Sequence, residues 1–346
     1  MRYLIVFLAS FLAVALVTPQ VRALSFRLGM VARPGGRRQH QGEIPKLGGL
    51  ALLVGLMVGT ALVYLLFPLA QDGQLLWGIV LGTAVIALGG LLDDWFDLPP
   101  WSQFIIHALA AVIAVYFEVF IERFTSPFSG QVVSFRELFA VPWAEMVIFL
   151  LTFFWIVGMI NTINFLDGLD GLASGVVAIT AVLIAWHSYN LGQYTVAAFP
   201  LVLSGVLMGF LLFNFAPARI FLGSAGAYVL GYQIATLAII SPAKIATALL
   251  VLAVPILDVA WQIVDRLRRG QSPFRGDRGH LHFRLSDRGL PTRWIVLGYY
   301  AVALAFGLVA IFASGLIKVV ILAVLATAVF TLLFWLNRPP SNSGHS

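Results

Sequence analysis

The chain has 346 residues, of which 60% are hydrophobic and only 10% charged, with a mean hydropathy of +0.96. A soluble domain carries roughly 25% charged residues, so this composition excludes a soluble globular protein and implies a polytopic, all-α membrane protein. Cysteine is absent, which excludes disulfides and thiolate metal sites. The net charge of +6 lies between apolar runs, where membrane topology accounts for it and no nucleic-acid partner is expected.

A helix needs about 20 apolar residues to cross the hydrocarbon core. That criterion predicts about eleven transmembrane helices, near 3–18, 47–68, 75–92, 101–121, 143–160, 172–188, 194–213, 225–240, 243–263, 293–313 and 316–336. The first reads as a retained span: its arginines follow the apolar run, and no small-residue cleavage site closes it. Arg22, Arg27, Arg33, Arg37, Arg38 and Lys46 then fall in one loop, Arg219 in another, and a dense arginine cluster between 264 and 293, with Arg338 in the tail. The opposite side keeps only Arg2, Arg123, Arg136, Lys244 and Lys318. Positive loops stay cytoplasmic, which places the N-terminus outside and the C-terminus in the cytoplasm. No internal repeat or soluble insert interrupts the pattern, so 1–346 is expected to form a single membrane domain, with 264–292 as a basic cytoplasmic loop.

The acids gather on that same side. "LLDDWFDLPP" puts Asp93, Asp94 and Asp97 at the end of the third span. Adjacent helical side chains diverge by about 100°, so one carboxylate can face a metal while its neighbour faces a substrate. Carboxylates oppose the helix dipole at a C-terminus, so they are poor choices for stability alone; the bland alternative is a solvated helix end. In "NTINFLDGLDGLASG", Asn161 and Asn164 can share one helix face, and Gly168 and Gly171 let Asp167 and Asp170 turn toward a common point. Two amides beside two acids are hard oxygen donors of the kind that suits Mg²⁺ and a sugar or nucleobase.

The junction "FNFAPARIFLGSAGAYVLGY" resembles the other polar junctions in style, yet it carries Ser224 and no acid. "RRGQSPFRGDRGHLHFRL" adds arginines with a fork that matches phosphate oxygens, and His280 and His282, which face the same way in an extended segment. An ordinary positive-inside loop explains the arginines but not the His-x-His pair. His107 reads as a packed histidine with a local partner, and His187 as non-catalytic. Asp258, costly within an apolar run, is expected to pair with an arginine or hydroxyl from another span. A transporter would place its ionisable residues near the bilayer midplane, whereas here only Asp258 and His107 lie deep.

In this order, "RPGGRRQHQGEIPKLGG", "GLLDDWFDLPP", "NTINFLDGLDGLASG" and "SPFRGDRGHLHFRL" resemble the motifs of the polyprenyl-phosphate N-acetylhexosamine-1-phosphate transferases. That family starts O-antigen, common-antigen and teichoic-acid linkage units, and the peptidoglycan translocase MraY is a more distant relative. The resemblance covers essentially the whole chain. It implies transfer of an N-acetylhexosamine 1-phosphate from a UDP-sugar to polyprenyl (undecaprenyl) phosphate, with release of UMP and a need for Mg²⁺ or Mn²⁺. It also implies a multi-pass protein of the bacterial inner membrane with its site facing the cytoplasm, and a homodimer is a further expectation. Carried over by position, Asp93, Asp94, Asp167 and His280 would be catalytic. Asp94, Asn164, Asp167 and Ser224 would surround the metal. Lys46, Asn161, Asn164, Asp170, Asn214, Arg275, Arg278 and His282 would bind substrate.

The chain also departs from the pattern. The family reads Gly-Asp-x-Gly-Ser where Gly223, Ser224, Ala225, Gly226 and Ala227 stand, and the missing acid is a metal ligand there. Gln103 replaces a Lys or Arg, His107 a Gln, and Phe283 a third histidine. Ser224 leaves three readings open: a rearranged metal site, a deliberate replacement that traps substrates, or a weakened homologue that binds polyprenyl phosphate or nucleotide-sugar without turnover.

Overall fold

The computed structural model describes residues 1–33, 42–68, 73–240, 244–272 and 279–336. Helices dominate it: α1 (Arg2–Arg27), α2 (Gly48–Leu66), α3 (Gly73–Phe96), α4 (Pro100–Tyr116), α5 (Phe135–Leu138), α6 (Trp143–Leu166), α7 (Leu172–Asn190), α8 (Tyr194–Asn214), α9 (Gly223–Ile239), α10 (Lys244–Val251), α11 (Ala253–Arg268), α12 (Leu281–Asp287), α13 (Thr292–Phe312) and α14 (Gly315–Leu336). The predicted apolar runs fall largely on helix, although the run 101–121 extends past α4, which ends at Tyr116. Eight of these helices are long and apolar enough to cross a membrane, or nine if the bent pair α10–α11 is one span. The runs at 101–121 and 225–240 correspond to the shorter α4 and α9.

The all-α expectation needs one addition. Two antiparallel ribbons flank the bundle, β1 (Val31–Ala32) with β2 (Ile44–Pro45), and β3 (Arg123–Thr125) with β4 (Val132–Ser134). Each is too short for a periodicity signal.

The centre of the bundle is α9. Each residue from Ala225 to Ile239 is buried, against α2, α3, α6 and α10. Lipid tails are as apolar as leucine, so helices in a membrane associate through close packing of small residues. A Cβ added at Gly90 of α3 would lie 2.4 Å from Ala225 Cα, and one at Gly231 would lie 2.5 Å from Ile160 Cα. The helix backbones therefore meet almost directly, which fixes α3 and α6 against the start of α9. At the other extreme, only 11% of α14's most apolar stretch is buried, and its leucines and valines face outward.

The span predicted over 243–263 is broken. α10 and α11 meet at a 74° bend around Leu252. Pro255 is the cause: its ring clashes with the carbonyl four residues back, Val251, and it lacks the N–H that would bond there. Beyond the turn, α11 packs along α6 and α14.

Candidate active site

Asp93 and Asp94, both buried, form the last turn of α3. Asp94 receives the first amides of α9: Oδ1 accepts Ser224 N–H at 2.9 Å and Oδ2 accepts Ala225 N–H at 3.1 Å. A helix start carries unsatisfied N–H groups and the positive end of the dipole, so a carboxylate is favoured there. Gly223 makes the approach feasible. Its φ is +74°, and a Cβ would fall 2.2 Å from Lys46 O and 2.7 Å from Asp94 Oδ2.

The strand segment before α2 closes the other side. Phe221 N–H bonds Pro45 O at 2.8 Å, Gly48 N–H bonds Phe221 O at 3.0 Å, and Gly49 N–H bonds Leu222 O at 2.9 Å. This pairing carries Lys46 to the α3 end, where its ammonium donates to the Asp94 carbonyl.

Asp93 is held on all sides. Oδ1 accepts Leu98 N–H and Gln103 Nε2–H, each at 3.0 Å, and Oδ2 accepts the Tyr228 hydroxyl at 2.9 Å. Gln103, noted only as a departure from the family pattern, is thus the side chain that anchors Asp93. Tyr228 was missed, although it stands one helical turn beyond Ser224. Asp97 is exposed with φ +47°, so the solvated helix-end reading holds for it and not for its two neighbours.

Asp167 is the residue that ends α6. It is half-buried; its N–H bonds Ile163 O at 3.1 Å, while its carboxylate has no hydrogen-bond or ion-pair partner among the described residues. Burial, with the charges of Asp94 and Asp170 adding, pushes it up to about 7. Asn164, also half-buried, likewise has an unengaged amide among the described residues. Asp170 accepts Ala218 N–H at 2.8 Å, and Gly171 (φ +79°) then starts α7.

Two asparagines serve the frame. Asn161 donates to Val157 O at 2.8 Å and lies 3.4 Å from His107 Nδ1, the local partner expected for that histidine. Asn214 accepts from Ser174 Oγ at 2.9 Å and donates to Ile220 O at 3.0 Å, tying α7 and α8 to the segment that leads into α9.

His280 and His282 are buried beside the end of α6. The expectation of an extended His-x-His segment is half met: His280 is extended (φ −66°, ψ 148°), while His282 already lies in α12. The two rings still stack, 5.8 Å apart and 9° from parallel, and His280 stacks on Phe165 at 5.2 Å. A Cβ at Gly168 would lie 2.3 Å from His282 Nε2, so the Asp-Gly-Leu-Asp turn packs directly on the histidine segment. Arg275 and Arg278 lie outside the described residues. The partner expected for Asp258 is corrected: among the described residues it bonds neither arginine nor hydroxyl but His280 Nδ1 at 2.9 Å and Leu281 N–H at 3.0 Å.

The donor chemistry fits a hard divalent cation. Asp167 and Asn164 offer unengaged oxygens, and each Asp94 oxygen keeps a lone pair beyond its amide bond. Among the described residues no group of three or more acids or histidines is spaced to hold a metal ion by itself. Ser224 brings only a neutral hydroxyl, beside that of Tyr228.

Comparison with known proteins identifies the family. Residues 76–242 match the family model described as glycosyl transferase family 4. A probable undecaprenyl-phosphate N-acetylglucosaminyl 1-phosphate transferase of Bacillus subtilis is 31% identical over 316 residues, 90% of this chain and 84% of that protein. A decaprenyl-phosphate N-acetylglucosaminephosphotransferase of Mycobacterium tuberculosis is 32% identical, covering 82% of this chain and 75% of its own. A phospho-N-acetylmuramoyl-pentapeptide-transferase of a Geobacillus strain is 29% identical over 88% of this chain and 94% of its own. By this likeness along the chain, it belongs to glycosyl transferase family 4 as a membrane-embedded phosphoglycosyltransferase of the polyprenyl-phosphate N-acetylhexosamine-1-phosphate transferase type.

Proposed function

We propose that the chain transfers an N-acetylhexosamine 1-phosphate from a UDP-sugar to polyprenyl phosphate, releases UMP, and so begins a lipid-linked cell-envelope glycan. The observation that carries this reading is the meeting of Asp94, the start of α9 and Asp167 at one end of the bundle. The names of the relatives supply the substrate classes: undecaprenyl or decaprenyl phosphate as acceptor and N-acetylglucosamine phosphate as the transferred group.

In this reading the chain crosses the bacterial inner membrane eleven times as one domain, with the N-terminus outside and the C-terminus in the cytoplasm. The loop arginines support that orientation, because positive segments stay cytoplasmic. The site then opens at the cytoplasmic interface, where a water-soluble nucleotide and a lipid phosphate can meet.

The acceptor's phosphate oxygen attacks the phosphorus that bears the sugar. The bond from that phosphorus to the UMP oxygen breaks, and UMP leaves with the electron pair. Both reactants are anions, so positioning and charge neutralisation dominate such a transfer. A bound Mg²⁺ supplies Lewis-acid charge compensation between them, and Asp94, Asn164, Asp167 and the Ser224 hydroxyl are the residues that would hold it. Asp93, gripped by Gln103 and Tyr228, keeps α3 against α4 and α9 so that Asp94 stays aimed. His280, His282, Arg278 and Arg275 bind the phosphates of the two substrates, and Lys46, Asp170, Asn161 and Asn214 shape the surrounding pocket.

A second reading has its own support. Ser224 lacks the charge of the acid usual at that position, and the described residues offer no group of three acids or histidines for a cation. A chain of this kind could bind polyprenyl phosphate or nucleotide-sugar with weak turnover. UMP release from UDP-N-acetylglucosamine and polyprenyl phosphate in detergent, with Mg²⁺ and with EDTA, tests both. Metal-dependent release from the chain as it stands, rising at least ~10-fold in Ser224→Asp, supports the transferase. No release from either form supports the binder.

A further inference from the structure

Asp258 is a buried carboxylate that the transfer described above does not use. It follows Pro255 by three residues, so the break at Leu252 sets where it points. Holding an acid within an apolar segment is costly, and both of its oxygens are engaged by a single stretch of chain. Oδ1 accepts Leu281 N–H at 3.0 Å, and Oδ2 lies 2.9 Å from His280 Nδ1.

A carboxylate acceptor places the imidazole hydrogen on Nδ1. The remaining nitrogen, Nε2, has no protein partner among the described residues. His280 borders the small pocket also lined by Thr162, Phe165, Leu166 and Val259. Stacking on Phe165 (25° from parallel) and on His282 (9°) holds the ring plane, and Asp258 holds its rotation within that plane. Ring plane, rotation and tautomer are thus set by three different elements, α6, α11 and α12.

We infer that Asp258 is a positioning residue for the transfer: it fixes the tautomer and orientation of His280, leaving Nε2 to meet a substrate phosphate. This inference rests on reading His280 as a substrate contact. The competing role is a latch that joins α12 to α11 through Leu281 N–H. Asp258→Asn separates the two. Its amide oxygen still accepts Leu281 N–H, while its NH₂ group now faces Nδ1 and favours the proton on Nε2, the wrong tautomer.

The test uses the full chain in detergent. ¹⁵N-histidine NMR, with the His280 signal identified by its loss in His280→Ala, is expected to show Nδ1 protonated in the parent chain. In Asp258→Asn the proton should move to Nε2. A parent chain with the His280 proton on Nε2 overturns the inference, and that reading does not depend on any variant folding.

In UMP release from UDP-N-acetylglucosamine, Asp258→Asn should lower kcat by about 10–100-fold, as orienting partners of ligating histidines commonly do, with KM little changed. The double variant with His280→Ala should be no slower than His280→Ala alone. Losses that multiply would assign Asp258 to the latch and leave the role of His280 standing. Full activity in His280→Ala would remove the substrate contact itself, and the inference with it.

Discussion

Replacing Asp94 with asparagine tests how the site is assembled. The parent carboxylate accepts two backbone amides of α9, at 2.9 and 3.1 Å, while its own helix receives Lys46. Asparagine keeps one acceptor oxygen, so its NH₂ group must face either Ser224 N–H or Ala225 N–H, donor against donor. A hydrogen bond to a charged group contributes about 1.5–3 kcal/mol, and an anion at a helix N-terminus adds about 0.3–1 kcal/mol. Losing one such bond and the charge should therefore weaken the α3–α9 junction by roughly 2–4 kcal/mol. At 1.4 kcal/mol per decade that is about 30- to 700-fold faster opening. Hydrogen–deuterium exchange resolved over 223–226 reads it directly. Asp97→Asn is the control, since Asp97 is exposed and asparagine tolerates its positive φ. Unchanged exchange at 223–226 in Asp94→Asn would refute the reasoning, whatever happened to activity.

Gly168→Ala should drive a methyl group into His282 Nε2 and Phe283, which lie 2.3 and 2.6 Å from the added Cβ. Displacing α12 by about 1 Å should cost on the order of 100-fold in kcat/KM, whereas Gly158→Ala, with nothing within 4 Å of the new carbon, should match the parent. Equal activity in both variants would show that the turn does not position the histidines. Asp167 supplies a pH signature. Its carboxyl is raised from the usual 3.8 to about 7, so the folded chain holds this proton where the unfolded chain has lost it. Stability therefore falls as pH rises from about 4 to 7 and levels off above. Melting of the chain in EDTA should show that fall, and Asp167→Asn should remove it and melt higher at pH 8. An identical pH profile in the variant would contradict the assignment.

The apolar runs were legible because hydropathy is a local property, and the predicted runs lie largely on helix. The bend near Leu252 was also written locally, in Pro255, yet the run around it reads as continuous by hydropathy alone. What no local signal carried was pairing over long separations. Asp94 and Ser224 stand 130 positions apart, and nothing in either motif says that a carboxylate will receive the amides of a helix start. The same holds for Asp258, whose cost in an apolar run was readable and whose histidine partner was not. Asn161 and Asn214, which the resemblance sets among the substrate-binding residues, have side-chain amides engaged by helix and loop carbonyls close by, and no local signal carried that either. The sequence pattern pointed to the polar helix ends, while contacts between distant segments decide which of their side chains are engaged.

The most direct test of the proposed reaction follows the phosphorus. Given UDP-N-acetylglucosamine labelled with ³²P at the sugar-bearing phosphate, and polyprenyl phosphate in detergent with Mg²⁺, the chain should move the label into the lipid fraction and release unlabelled UMP. Label remaining with the nucleotide, or appearing in water-soluble sugar phosphate with none in the lipid, would contradict transfer of a sugar 1-phosphate.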